Sequence, residues 1–221
     1  RTPIALALLL PLATPLAGQS ARELCRELGN ITVGQWAEYR MSGREGPTEV
    51  RFAIVGKEAA AGKDHYWYEL KFGSTQGTMI VQALVPGYPY EQNDVQSLVV
   101  KMGDQPAMKV PQSMMGMMGQ MQQQGGPGSL ARDAVRKCET ADVVGREAVE
   151  VPAGRMQTTH LRSTDGGQTA DVWVNTGIPF GMVKMTWGGA NSGEMTLLRH
   201  GKDAKSSITE TPQEMPGMRR P

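Results

Sequence analysis

The chain has 221 residues, with 23 basic and 22 acidic side chains and a formal net charge of +1. That balance cannot neutralise a run of phosphates, so no nucleic-acid partner is expected. Hydrophobic residues make up 39%, enough for one core, while 27 Gly and 14 Pro exclude an all-helical bundle and require many turns.

Residues 1–20 read as a secretory signal peptide. Arg1 is followed by an apolar run from Ile4 to Ala13 that is too short to span a bilayer, and small residues come after it. Gly18-Gln19-Ser20 suits cleavage before Ala21, and cleavage after Ala17 fits as well. Gln19 stands where a lipid-attachment box would need Cys, so no thioether anchor is expected. No later run reaches membrane-spanning length. The expectation is an exported protein, soluble in the periplasm after cleavage. Arg1 is the only charge in the leader, so the mature chain is balanced and nothing steers it to acidic surfaces. Cys25 and Cys138 then lie in an oxidising compartment, where a pair is usually bonded; two unrelated buried thiols are the alternative. No Cys-x-x-Cys is present, and no redox role is expected.

Ala21 to Leu28 reads as a short helix, with Leu24 and Leu28 on one face and Gly29 as its stop. From Thr32 the period changes to two. Strands are expected at Thr32–Ser42, Thr48–Lys57, Asp64–Gly73, Thr78–Val85 and Val95–Met102, separated by Gly- and Pro-containing turns. The short turns imply an antiparallel meander. Residues 103–128 interrupt the pattern with a Met-, Gln- and Gly-rich insertion. Within it, 113–124 reads as a flexible helix and Gly125 to Gly128 as a linker, before a second helix at Leu130–Lys137. Strands resume at Asp142–Val151, with a turn or bulge near Gly145, then Arg155–Arg162, Thr169–Asn175, Met182–Trp187 and Glu194–Arg199. Residues 203–221 lack an apolar period and read as a disordered tail.

About ten strands with few helices predict a mainly β fold. It is a single curved antiparallel sheet over residues 21–202, covered by the N-terminal helix and the helical, Met-rich insertion. One segment adds to this: Asp171-Val172-Trp173-Val174-Asn175-Thr176-Gly177-Ile178-Pro179-Phe180-Gly181-Met182-Val183-Lys184-Met185. It resembles the late strand–turn–strand of the LolA-like superfamily of periplasmic lipoprotein carriers. Gly177 would supply a positive-φ turn there, and Pro179 would stiffen entry into the next strand. The resemblance implies a half-barrel whose concave apolar side binds an acyl chain or another hydrophobic ligand. The family's arginine that holds its helical lid closed has no counterpart in this chain.

The residues carry little catalytic chemistry. His65, His160 and His200 have no metal-ligand spacing, and neither a nucleophile elbow nor a phosphate loop occurs. No enzyme activity and no cofactor are expected. Glu147 and Glu150 read as a solvated strand edge. Inward residues of the early strands should line any cavity, namely Phe52, Ile54, Tyr68, Leu70, Phe72, Met79 and Val81, although a one-residue slip would reverse the faces. Met114, Met115, Met117, Met118 and Met121 fall within eight positions. Flexible thioethers suit an adaptable lid over a hydrophobic ligand. The alternatives are a plain linker and a Cu(I) site formed by Met114, Met117, Met118 and Met121. The leading expectation is a non-catalytic exported carrier or binding module for a hydrophobic small molecule or acyl chain. A copper-binding protein and an interaction domain that pairs with an envelope protein are the alternatives.

Overall fold

Ser20 and Glu23 start the first element. The Glu23 amide donates to Ser20 Oγ at 3.3 Å, and the Ser20 amide donates back to Glu23 Oε2 at 3.1 Å. This reciprocal cap satisfies two of the donors that a helix N-terminus leaves free. The helix α1 (Ala21–Leu28) buries Ala21, Leu24, Cys25 and Leu28 on one face. In this computed structural model, described for residues 20–28, 30–43, 46–60, 62–74, 77–88, 90, 94–112, 114–115, 138, 140–165, 167–189 and 192–215, every other main element is a strand.

The strands are β1 (Trp36–Ser42), β2 (Thr48–Ala60), β3 (Lys63–Ser74), β4 (Gly77–Val85), β5 (Ser97–Met102), β6 (Met108–Lys109), β7 (Asp142–Val151), β8 (Gly154–Asp165), β9 (Gln168–Val174), β10 (Met182–Trp187), β11 (Gly193–Gly201) and β12 (Gln213–Glu214). They form one open sheet in the order β12-β6-β5-β4-β3-β2-β1-β11-β10-β9-β8-β7. Two antiparallel meanders, β1–β6 and β7–β11, are thus joined through the β1–β11 pair at mid-sheet. The sheet is curved and does not close into a barrel. It has two strands more than the sequence pattern predicts, because β6 and β12 are only two residues each, too short to show a period.

Register places the expected inward residues on one face. Val50 pairs with Phe72, which pairs with Met79, which pairs with Met102. The next row is Phe52, Leu70, Val81 and Val100, and the third is Ile54, Tyr68, Ala83 and Leu98. Tyr39 opposite Val50 and Leu197 opposite Tyr39 carry the apolar surface into the second meander. There Met195, Met185 and Val172 continue it. These side chains form the main core. At its far end the sheet curls back, since Val151 joins that core and the Ala153 amide meets the Leu197 carbonyl at 3.4 Å.

A second, smaller core sits under α1, where Leu24, Cys25 and Leu28 pack with Leu161, Val174 and Cys138. The expected Cys25–Cys138 disulfide is formed, with 5.9 Å between the Cα atoms.

The expectation of a disordered tail from 203 onward is corrected. Residues 203–215 run across the convex side of the first meander. Asp203 accepts a 2.7 Å bond from Trp36 Nε1, Ile208 is buried with Ile80, Val99 and Ala107, and β12 pairs in parallel with β6. The composition of this segment misled because its attachment is mostly polar. Ser207 donates to Glu69 from both its amide and its hydroxyl at 2.8 Å, and Lys101 is paired with Glu210. Residues 216–221 lie outside the described residues. So do the expected leader up to residue 19, the expected helix at Leu130–Lys137, and most of the insertion. Among the described residues, no helix is long and apolar enough to cross a membrane.

Candidate functional site: the concave apolar face

The three rows of the first meander differ in how far they are covered. Phe52, Ile54, Tyr68 and Leu70 are buried, whereas Phe72, Met79 and Val81 are half-buried, together with Val100 and Met102. All seven expected cavity residues therefore share the concave face. Four belong to its closed end and three to its more open end.

Aromatic residues close the buried end. Tyr88 stacks on Tyr68 at 6.0 Å, Tyr90 meets Tyr68 edge-on at 5.6 Å, and Phe180 contacts Phe52, Tyr68 and Tyr88 at 6.1, 5.9 and 5.4 Å. Such tilted and offset pairs add to simple area burial. Sequence reasoning missed Tyr88, Tyr90 and Phe180 because they stand on loops outside any period. Their one available signal was aromatic residues next to Pro and Gly in a chain poor in aromatics. Burial, with Tyr88 adding to it, pushes the Tyr39 phenol well above its usual range, and the Tyr39 hydroxyl donates to the Met182 carbonyl at 3.0 Å. Burial raises Tyr68 and Tyr88 in the same direction. These phenols stay neutral, so the closed end of the wall carries no phenolate charge.

The turn that delivers Phe180 departs from the expected geometry. Gly177 does not adopt positive φ; instead its amide donates to Asn175 Oδ1 at 2.8 Å. The left-handed residues are Phe180 (φ 61°) and Gly181 (φ 72°). A Phe there is strained, and its ring contacts hold it in place. Gly181 is needed for a further reason: a Cβ would overlap the Leu28 side chain, so α1 seats directly on this turn.

Of the methionine tract, Met114 and Met115 are described. Both are half-buried, and both amides donate to the Pro111 carbonyl, at 2.9 and 3.2 Å. The tract departs from β6, whose Met108 is registered with Val100 of the concave face. Met117, Met118 and Met121 lie outside the described residues.

On the convex side, a second cluster joins β7, β8 and β9. His160 stacks on Trp173 at 4.5 Å, its Nε2 lies 2.6 Å from Asp171 Oδ1 and its Nδ1 3.2 Å from Glu147 Oε1. Trp173 Nε1 donates to the same Glu147 oxygen at 2.6 Å, and Arg162 donates to Asp171 at 2.8 Å. Burial pushes the Asp171 carboxyl up, but the bonds from Arg162 and His160 and their charges outweigh it and leave it below its usual value. Glu147 is thus a bonded residue and not simply part of a solvated edge. Among the described residues, no group of three His, Cys, Asp or Glu is placed to hold a metal ion. The geometry of the cluster stitches the terminal strands together.

No family model and no curated protein matches the sequence. Among solved structures, the chain is similar to a protein provisionally assigned as a lipoprotein from Parabacteroides distasonis, with TM-score 0.38 and 8% identity over 79% of this chain and 98% of that one. It is also similar to a protein provisionally assigned as exported, with a YmcC-like fold, from Bacteroides fragilis, with TM-score 0.36 and 11% identity over 77% and 97% of the two chains.

Proposed function

We propose that this chain is an exported, non-catalytic carrier or binding module whose concave face takes a hydrophobic ligand of the acyl class. The observation that carries the reading is the continuity of that face. Three registered rows of apolar side chains run from a closed aromatic end to a half-covered end at Phe72, Met79, Val81 and Met102. Ligand pockets are typically lined in this way. The apolar leader and the Cys25–Cys138 bond support an oxidising compartment outside the cytoplasm. The methionine tract, leaving the sheet beside Val100, is an adaptable cover in this reading.

Native mass spectrometry and lipid extraction of protein purified from a bacterial periplasm test the proposal. A co-purifying acyl species supports it, and bound copper supports the alternative in which the tract is a metal site. In titrations with a fluorescent fatty acid, Phe72→Asp with Val81→Asp should weaken binding at least about tenfold, since each buries a charge against the ligand. Replacing Met114, Met115, Met117, Met118 and Met121 by Ser should weaken it too while β circular dichroism persists. A wild-type protein that binds neither lipid nor probe overturns the reading.

A further inference from the structure

We propose that Gln35 is the polar anchor of the concave site, its side-chain amide nitrogen donating a hydrogen bond to the carbonyl oxygen of an ester- or amide-linked acyl chain. The inference rests on the ligand-binding reading above and specifies its ligand.

Gln35 immediately precedes β1 and is only 5% exposed. Its Oε1 accepts the Thr32 amide at 3.0 Å and the Thr32 hydroxyl at 3.2 Å. Those contacts fix which way the amide points. A flipped side chain would turn its own NH2 toward the backbone N–H of Thr32, donor against donor. The nitrogen therefore faces away from Thr32. There Nε2 is fully enclosed, and it is the one buried side-chain polar atom without a hydrogen-bond partner among the described residues. Buried amide donors are almost always paired, because leaving one unmade forfeits its hydration.

Register places this donor on the concave side. The Gly34 amide bonds the Ile54 carbonyl at 2.7 Å, and the Ile54 amide bonds the Gln35 carbonyl at 2.9 Å, so Gln35 stands opposite Ile54. It continues the alternation of Tyr39 and Ala37, both buried in the main core. It thus heads the row Ile54, Tyr68, Ala83 and Leu98. The charged groups nearby belong to the other face: Arg51 lies over the Trp36 ring, and Asp203 is bonded to Trp36 Nε1.

The chemistry of the partner follows. With Oε1 occupied, the side chain offers N–H donors and no acceptor, which requires an acceptor oxygen on the ligand and disfavours a group that can only donate, such as an ammonium. With no cation in its row, it suits a neutral carbonyl better than a free carboxylate, whose charge would be buried without a counter-charge. An apolar wall with a single neutral donor at its head fits a linked acyl chain.

The experiment compares three fluorescent probes of equal chain length: a methyl ester, the free acid, and a hydrocarbon lacking the carbonyl. Each is titrated into the full mature chain and into Gln35→Met, which keeps the side-chain length and removes the donor. Wild type should bind the ester tightest, and Gln35→Met should lose about tenfold for the ester, the equivalent of one hydrogen bond, and little for the hydrocarbon. Equal ester affinity in both proteins, with the hydrocarbon bound as well, overturns the anchor and leaves the carrier reading standing. If wild type binds none of the probes, the carrier reading falls and the anchor with it. Should Gln35→Met not fold, the side-chain NH2 resonances of wild type labelled at glutamine decide. Ester and not hydrocarbon should move the Gln35 pair, and an unmoved pair at ester saturation overturns the proposal.

Discussion

At the scale of the residue, a few positions hold the candidate site together, and Gly181 is the one least able to change. Two demands coincide there. The backbone is left-handed at φ 72°, and α1 approaches so closely that a Cβ would overlap Leu28. Gly181→Ala therefore combines backbone strain with overpacking, and it should cost about 2–4 kcal/mol in urea unfolding. The displaced Leu28 would loosen α1 from Leu161 and Val174 and disturb the neighbouring Phe180, whose ring closes the aromatic end. A cost below about 0.5 kcal/mol would show that α1 does not seat on this turn. The sequence points to a Gly-dependent turn in this segment but not to which glycine. Gly177 looks like the positive-φ residue because it precedes Ile178-Pro179. The true constraint comes from a helix far away in the chain, which no local motif encodes.

At the scale of the element, the segment after Gly201 behaves as a strap. Its anchors are Asp203 on Trp36, Ser207 on the buried Glu69, Ile208 in its small apolar cluster, and Glu210 beside Lys101. Ending the chain at Lys202 would expose Ile80 and Val99 and take two donors from a carboxylate whose residue is 0% exposed. Together these amount to about 3–5 kcal/mol, or a fall of about 10 °C in Tm. Acid should erase part of that difference. The bond from Lys101, helped by backbone amides including that of Ala107, holds the Glu210 carboxyl at about 2, below its ordinary 4.5. A carboxyl with a depressed folded-state pKa stabilises the fold above its unfolded value and loses that contribution as pH falls through the folded one. The Tm gap between full and truncated chains should therefore be steady above about pH 5 and shrink between about pH 4.5 and 2. Asp203, lowered mainly by its bond from Trp36, acts in the same direction. A gap that stays constant down to pH 2 would mean that the strap is held by Ile208 and neutral bonds alone.

At the scale of the whole molecule, what could be read in advance and what could not divide along contact distance. Alternation in β2, β3 and β4 is local, and the hairpins joining them fix their register, so Phe52, Ile54, Tyr68, Leu70, Phe72, Met79 and Val81 were assignable to one face. The closure by Phe180 and the polar strap join distant segments, and no period or spacing announces them. The His160–Glu147–Asp171 cluster lies on neighbouring hairpin strands, but it is built from polar side chains that no apolar period marks. The disulfide is the exception, a long-range contact inferred from compartment and cysteine count. It also supports the most direct global test. Cys25 and Cys138 are separated by 113 residues and tie α1 to the chain entering β7. Closing so long a loop restricts the unfolded ensemble and contributes roughly 4–5 kcal/mol in the chain-entropy account. Because the effect lies mainly in the unfolded state, replacing both cysteines by Ser should leave native β circular dichroism unchanged. The urea midpoint should fall steeply, and the slope of the unfolding transition should rise, since an unlinked denatured chain exposes more surface. The oxidised wild type after reduction by dithiothreitol should match the double variant. An unchanged midpoint in both would show that α1 is held by Leu24 and Leu28 without help from the bond.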